Sequence, residues 1–187
     1  MPDKQGLCTT FALAYKAGVR MGSYRKLAKS VGGIPKYGRD APLPLSEILT
    51  VCGLSDALWS FRCVFPRQQR EAGRVLYSFL ADVLERIQDK MLDDRSKAVI
   101  PMLRRRAAGL ATADELERVR RDAADAFTAV NADDADDNAV VYNAVRAAIR
   151  AADADADAPA AAATVYDDER AWQMECLRQH LIPGSVL

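Results

Sequence analysis

The clearest periodicity in the chain lies in VLYSFLADVLERIQDKM, residues 75–91, where Val75, Leu76, Phe79, Leu80, Val83, Leu84, Ile87 and Met91 recur at spacings of three and four. A helix of 3.6 residues per turn gathers such positions into one apolar stripe, so this segment predicts a core helix. At about 1.5–3 kcal/mol for each buried side chain, it is the expected centre of the fold. Shorter patterns precede it. SEILTVC predicts a helix capped by Ser46 and closed by Gly53, with Ile48, Leu49 and Cys52 on one face. Ser55 is positioned to cap a second short helix carrying Leu58, Trp59, Phe61 and Val64, the bulkiest cluster in the chain. The polar run RQQREAGR reads as the lead-in to the core helix.

Beyond it, DRSKAVIPMLRRRAAG predicts a helix that starts on Asp93 and Asp94 and ends on three arginines and Gly109; Pro101 calls for a kink or a later start. Thr112 and Glu115 form a capping box opening a helix with Leu116, Val119, Ala123, Phe127 and Val130 inward. NAVVYNAVRAAIRAA, with Val141, Val145, Ala148 and Ile149 inward, and DDERAWQMECLRQHL, with Trp172, Leu177 and Leu181, complete the pattern. At the other end, Phe11, Leu13 and Tyr15 fit a short strand or one side of a helix equally well. Ser23 is placed to cap YRKLAKSV, which Gly32 and Gly33 stop, and GGIPKYGRDAPLPLS reads as an irregular connection. The prediction is an all-α fold: a compact multi-helix bundle with short N-terminal helices. Composition divides it into a basic N-terminal segment with a Pro/Gly-rich loop, residues 1–45, and an alanine-rich helical domain, residues 46–187.

The zero net charge conceals a polarity. Residues 1–41 carry eight Lys/Arg against two Asp, giving +6, residues 42–121 fourteen against eleven acids, giving +3, and residues 122–187 four against thirteen, giving −9. With aromatics at only 7%, the alanines imply a core of small contacts between closely spaced helices. No apolar run reaches the length of a membrane span; LCTTFALAY is too short and is followed by Lys16 and Arg20. A soluble, cytoplasmic protein with reduced thiols is expected.

Bond-making chemistry finds little support in the residues. Cys8, Cys52, Cys63 and Cys176 are widely spaced and His180 is the one histidine, so no zinc set forms. Cys176 and His180 lie four apart and would meet on one helical face, yet no third group is evident to orient the imidazole. Gly32 and Gly33 lack the strand and the GK[ST] of a phosphate loop. No catalytic residue, metal or cofactor is therefore assigned.

Two acidic clusters remain, Asp133, Asp134, Asp136 and Asp137, then Asp153, Asp155 and Asp157, at breaks between expected helices. Calcium loops need a glycine at the turn and a closing glutamate, and both are missing. Mimicry of nucleic-acid phosphate and a merely solvated face stay open. At the basic end, Arg25, Lys26, Lys29, Lys36 and Arg39, with Arg20, are interleaved with Tyr15, Tyr24 and Tyr37, a second candidate binding surface. Overall neutrality and the lack of a known motif point away from direct nucleic-acid binding, and pairing with an acidic half of the same or a neighbouring chain, in a homo-oligomer, is an alternative.

The order SEILTVCGLSDALWSFRCV, a striped helix, DDRSKAVIPMLRRRAAGLATADELERVRRDAADA, alanine-rich segments and a closing ERAWQMECLRQHL resembles the alanine-rich helical immunity-protein family, whose relatives are also common among phage and prophage proteins. The resemblance spans roughly residues 46–181. It implies a helical fold and a protein-binding role without a catalytic residue. The expected function is a non-enzymatic inhibitor from a phage or mobile element that neutralises a bacterial effector, a nucleic-acid-binding complex for example, as an anti-CRISPR protein does. Immunity against a cognate toxin and self-assembly are the alternatives.

Overall fold

Thr10 decides the conformation that periodicity leaves open at the N-terminus. Its backbone is extended (φ −140°, ψ 163°) and its hydroxyl accepts a hydrogen bond from the Leu13 N–H at 3.0 Å, capping helix α1, Phe11–Lys16. Phe11, Leu13 and Tyr15 are therefore helical, and Cys8–Thr9 just before them forms strand β1. β1 pairs antiparallel with β2, Leu43–Pro44, with Cys8 opposite Pro44 and Thr9 opposite Leu43. In the computed structural model, which describes residues 6–91, 93–129 and 167–182, this ladder is the one sheet among the described residues. The remaining regular structure is helical, and the fold is all-α.

The chain divides into two compact units, Met1–Gly73 with Arg170–Leu187, and Arg74–Glu169. They do not part at residues 45/46, where the composition changes, because the basic segment and the helices after it share one core. In that first unit α2, Met21–Ser30, packs on α4, Leu45–Cys52, which packs in turn on α5, Leu54–Ser60. Phe11, Leu43, Leu45, Leu49 and Leu54 are fully buried.

β1 is closed on both edges. Successive peptide groups of a strand point to opposite sides, so Leu7 and Cys8 bond in different directions. The Leu7 C=O accepts from the Leu45 N–H at 2.9 Å, at the start of α4. The Cys8 C=O accepts from the Phe65 N–H at 3.1 Å, and the Cys8 N–H donates to Gln68 Oε1 at 2.9 Å. Gln68 Nε2 then donates to the Gly6 C=O at 2.8 Å, so one side-chain amide supplies the acceptor and donor that a neighbouring strand would have offered. Gln68 itself sits in a 3₁₀ turn, Pro66–Gln68.

Serine caps expected at three helix starts are not used. α1 ends in a Schellman turn, with Gly18 at φ 83° and the Val19 N–H bonded to the Ala14 C=O, and the chain passes directly into α2, leaving Ser23 inside the helix. α4 starts from Pro44 and α5 from Gly53 (φ 90°), neither with a side-chain cap, so Ser46 and Ser55 also lie inside helices. β2 delivers Pro44 already extended to α4, and Gly53 alone joins α4 to α5. Gly32 does terminate α2, through a second Schellman turn in which the Gly33 N–H bonds to the Ala28 C=O at 2.8 Å. The connection after it is more regular than its composition suggests, with a helical turn α3, Ile34–Tyr37, followed by β2.

The core helix α6, Gln69–Arg86, begins earlier than its apolar stripe and takes in the polar run expected as a lead-in. Phe79, Leu80, Val83 and Leu84 are buried; Ile87 lies past the helix end, and Met91 is buried after the 3₁₀ turn Gln88–Lys90. Pro101 has an N–H-free ring nitrogen that cannot bond to the Lys97 carbonyl, and the expected helix accordingly divides at Ala98 into α7, Asp94–Lys97, and α8, Val99–Ala107. Pro101 thus falls in the first turn of α8, where no intrahelical donor is required. Gly109 (φ 74°) closes α8, with the Leu110 N–H on the Arg105 C=O at 2.8 Å.

The capping box forms as read. The Thr112 N–H donates to Glu115 Oε2 at 2.7 Å and the Glu115 N–H to Thr112 Oγ1 at 3.2 Å, opening α9, Ala113–Ala129, which packs on α7 and α8. Leu116 and Ala123 are buried and Val119 half-buried, while the side chains of Phe127 and Val130 and the expected helix over residues 138–152 lie outside the described residues. The last helix, α10, is Asp167–Leu181, with Leu177 and Leu181 buried and Trp172 half-buried.

Three outcomes follow from these contacts. Gln68→Leu takes the acceptor from the Cys8 N–H and leaves the Gly6 C=O only the weak Cys8 thiol donor, and should lower stability in urea unfolding by roughly 1–3 kcal/mol, the cost of one unsatisfied group. Leu80→Asp should abolish the cooperative transition, since it places a charge in the core. The Thr112 backbone N–H, then its hydroxyl, hold the Glu115 carboxyl below its ordinary 4.5. A depressed carboxylate contributes stability fully above that value and loses it as pH falls through the lower folded one. Melting temperatures at pH 7 and pH 3 should therefore differ less for Glu115→Gln than for the natural protein.

Candidate functional site

Tyr24, Leu27 and Ala28 turn α2 toward the core, Leu27 being buried and Tyr24 and Ala28 half-buried. At about 100° per residue, Arg25, Lys26 and Lys29 then fall within one arc of about 100° on the opposite face, and all three are exposed. Lys36, in α3, lies back along the end of α2, with its Nζ 3.8 Å from where a Cβ on Gly32 would stand. The Arg39 C=O accepts from the Ala12 N–H at 3.1 Å, which fixes that arginine beside the start of α1. Lys36 and Arg39 are exposed too. All five basic candidates therefore belong to the first unit, on the helices and turns around α1.

Those turns enclose an aromatic cluster. Phe11, fully buried, meets Tyr24 edge-to-face at 5.3 Å between ring centroids and Tyr37 at 5.9 Å. Tyr15 lies 6.0 Å from Tyr24 in a tilted arrangement and is 57% exposed. The Tyr37 hydroxyl donates to the Pro42 C=O at 2.6 Å; burial first, then the neighbouring Cys8 and Glu47, push its pKa up. Tyr37 is thus structural, whereas Tyr15 offers a ring to solvent. The sequence shows the three tyrosines among the cations; the part it hides is Phe11, whose position four residues before Tyr15 is the one available signal.

Several cations of the second unit are paired, although Arg118 and Arg121 are exposed and form no ion pair among the described residues. Arg95 pairs with Asp93 at 2.9 Å, Lys97 with Asp94 at 3.4 Å, Arg105 with Glu115 at 3.2 Å and Arg120 with Glu117 at 2.7 Å, while Arg104 bridges Asp82 and Glu85 from one helix to another. Arg106 stacks over Tyr77 at 5.6 Å and donates to the Ala111 C=O at 2.8 Å. In the first unit Arg62 and Arg67 lie over Trp59 and Phe65. By contrast Lys16, Arg20, Arg25, Lys26, Lys29, Lys36 and Arg39 form no ion pair among the described residues. With Asp40 the one acid in residues 6–41, these seven give that stretch +6.

The acidic candidates Asp133, Asp134, Asp136, Asp137, Asp153, Asp155 and Asp157 lie outside the described residues. The thiol of Cys176 and a ring nitrogen of His180 are within 4.8 Å of each other on α10, so the two side chains do meet as their spacing implies. Burial pushes the Cys52 and Cys63 thiols up, away from the thiolate form a nucleophile needs. Among the described residues no helix is long and apolar enough to cross a membrane. No family model, curated protein or solved structure matches this chain.

Proposed function

We propose that this chain is a non-enzymatic binding protein that neutralises a bacterial effector by occupying its surface, an inhibitor of the counter-defence kind carried by phages and mobile elements, with an anti-CRISPR protein as its concrete form. The observation that carries a binding role is the segregation of charge: seven exposed cations without ion-pair partners among the described residues at one end of the sequence, and −9 over residues 122–187 at the other. Charges left unpaired within a chain are available to steer and orient a partner. The choice of a bacterial effector rests on the resemblance of residues 46–181, which equally favours a second reading, immunity against a cognate toxin.

In the inhibitor reading Asp133 to Asp137 and Asp153 to Asp157 stand in for nucleic-acid phosphates on a basic surface of the effector. Capture from a bacterial lysate, with partners identified by mass spectrometry, tests it. A nucleic-acid-handling protein should be retained, and replacing the seven aspartates of both clusters by Asn should weaken capture and reduce its salt sensitivity. Capture that is indifferent to those replacements rejects mimicry, and rescue of growth on co-expression with a toxin, in place of effector capture, selects the immunity reading.

A further inference from the structure

The basic face of the first unit has a composition of its own. It combines Arg25, Lys26 and Lys29 on one arc of α2 with Lys36, Arg39, Lys16 and Arg20 on the adjoining turns. At its edge, where α2 turns toward the core, stand the exposed ring of Tyr15 and beside it the half-buried Tyr24. Interfaces between proteins concentrate apolar anchors at their centre and are depleted of lysine. This face has the opposite make-up, four lysines among its seven cations, with Tyr15 at 57% and Met21 at 46% as the exposed large apolar side chains of residues 6–41. Lysine-rich surface with an aromatic ring at its edge is instead what a sugar-phosphate chain with unstacked bases requires: point charges for the phosphates and a π-face for a base.

We infer that the α1–α2 face of the first unit binds single-stranded nucleic acid, with Arg25, Lys26 and Lys29 on the phosphates and Tyr15 as the stacking platform. Tyr15 is suited to that role because Tyr24 supports its ring from one side, and Lys16 and Arg20 flank it along the chain, with Arg25 next to Tyr24. Overall neutrality, which argues against such binding at the level of the whole chain, does not describe this face. Charges are screened beyond about 8 Å at physiological ionic strength, so a strand on the face responds to the nearby cations, in excess over Asp40, Glu47 and Asp56, rather than to the neutral whole. Asp40 lies within the stretch, and Glu47 and Asp56 lie with Lys26 around Cys52 beside α2; none of the three is ion-paired to these cations among the described residues. The inference is independent of the inhibitor reading, which uses the acidic end of the sequence.

The test is fluorescence anisotropy of labelled 20-nucleotide dT and rU strands with the full chain. About four phosphate contacts at a slope near −0.7 each predict a loss of affinity of roughly 50-fold between 50 and 200 mM salt. Replacing Arg25, Lys26 and Lys29 together by Gln should lower the log–log slope by about 2. Tyr15→Ala should weaken binding about tenfold or more with the slope unchanged, and Tyr15→Phe should retain it. All the replaced side chains are exposed, so melting temperatures should stay near that of the natural protein. Absence of binding at 50 mM salt overturns the inference. So does an affinity indifferent to Tyr15→Ala, or equal competition by poly-glutamate, which would assign the face to an acidic protein surface.

Discussion

The structure of the first unit depends on how a strand of two residues is completed. A two-stranded ladder this short is not stable by itself, and its outer edge would expose donors and acceptors inside a core. The side-chain amide of Gln68 resolves the problem. Its oxygen takes the Cys8 N–H and its nitrogen serves the Gly6 C=O, while the Phe65 N–H takes the Cys8 C=O. Once β1 is held, Thr10 is placed to cap α1, Phe11 enters the core, and the three tyrosines collect around it. Leu45 begins α4 on the Leu7 carbonyl. A few hydrogen bonds that span some sixty residues of sequence therefore determine where the N-terminal cations are displayed.

Glycine determines how they are grouped. Gly18 ends α1 and Gly32 ends α2, each at positive φ, so α2 is a short, sharply bounded rod rather than a continuation of its neighbours. Its three basic residues consequently share one arc. In the second unit the same residue types are used differently, with Arg104 reaching across to Asp82 and Glu85 and the arginines of α8 tying down the turn at Gly109–Leu110 and the start of α9. The lysine-rich set of residues 6–41 is presented outward, whereas Arg95, Lys97, Arg104, Arg105 and Arg120 of the arginine-rich second set are paired with acids of their own unit.

Much of the architecture was legible because it is written in local spacing. The stripe of α6, the Thr112–Glu115 box, the glycine stop of α2 and the extent of α10 all depend on residues within one or two turns of each other. The misread starts have a common cause: Ser23, Ser46 and Ser55 are competent caps, but the entry to each helix was set by what came before it, a Schellman turn, a β-bridge or a glycine joint. Pro101 demanded a break, and the helix placed it three residues earlier, where the missing donor would have been needed. For the candidate surface, the cations and tyrosines could be named from sequence alone. Their convergence could not, since it depends on Phe11 as a shared contact and on the Gln68 closure, neither of which leaves a periodic trace. The seven aspartates lie outside the described residues, and their assignment rests on sequence pattern.

The closure of β1 also has a consequence in time. Gly6 and Gln68 are 62 residues apart, so during synthesis the N-terminal strand emerges long before the amide that completes it. At about 5–20 residues per second, roughly 3–12 s separate the two events. For that interval β2, Arg39 and α4 are already made and able to engage β1, α1 and α2, but the outer edge of β1 lacks the Gln68 amide that closes it. The strand on which the basic segment hangs is thus made first and closed late, when the chain has reached the threshold of α6.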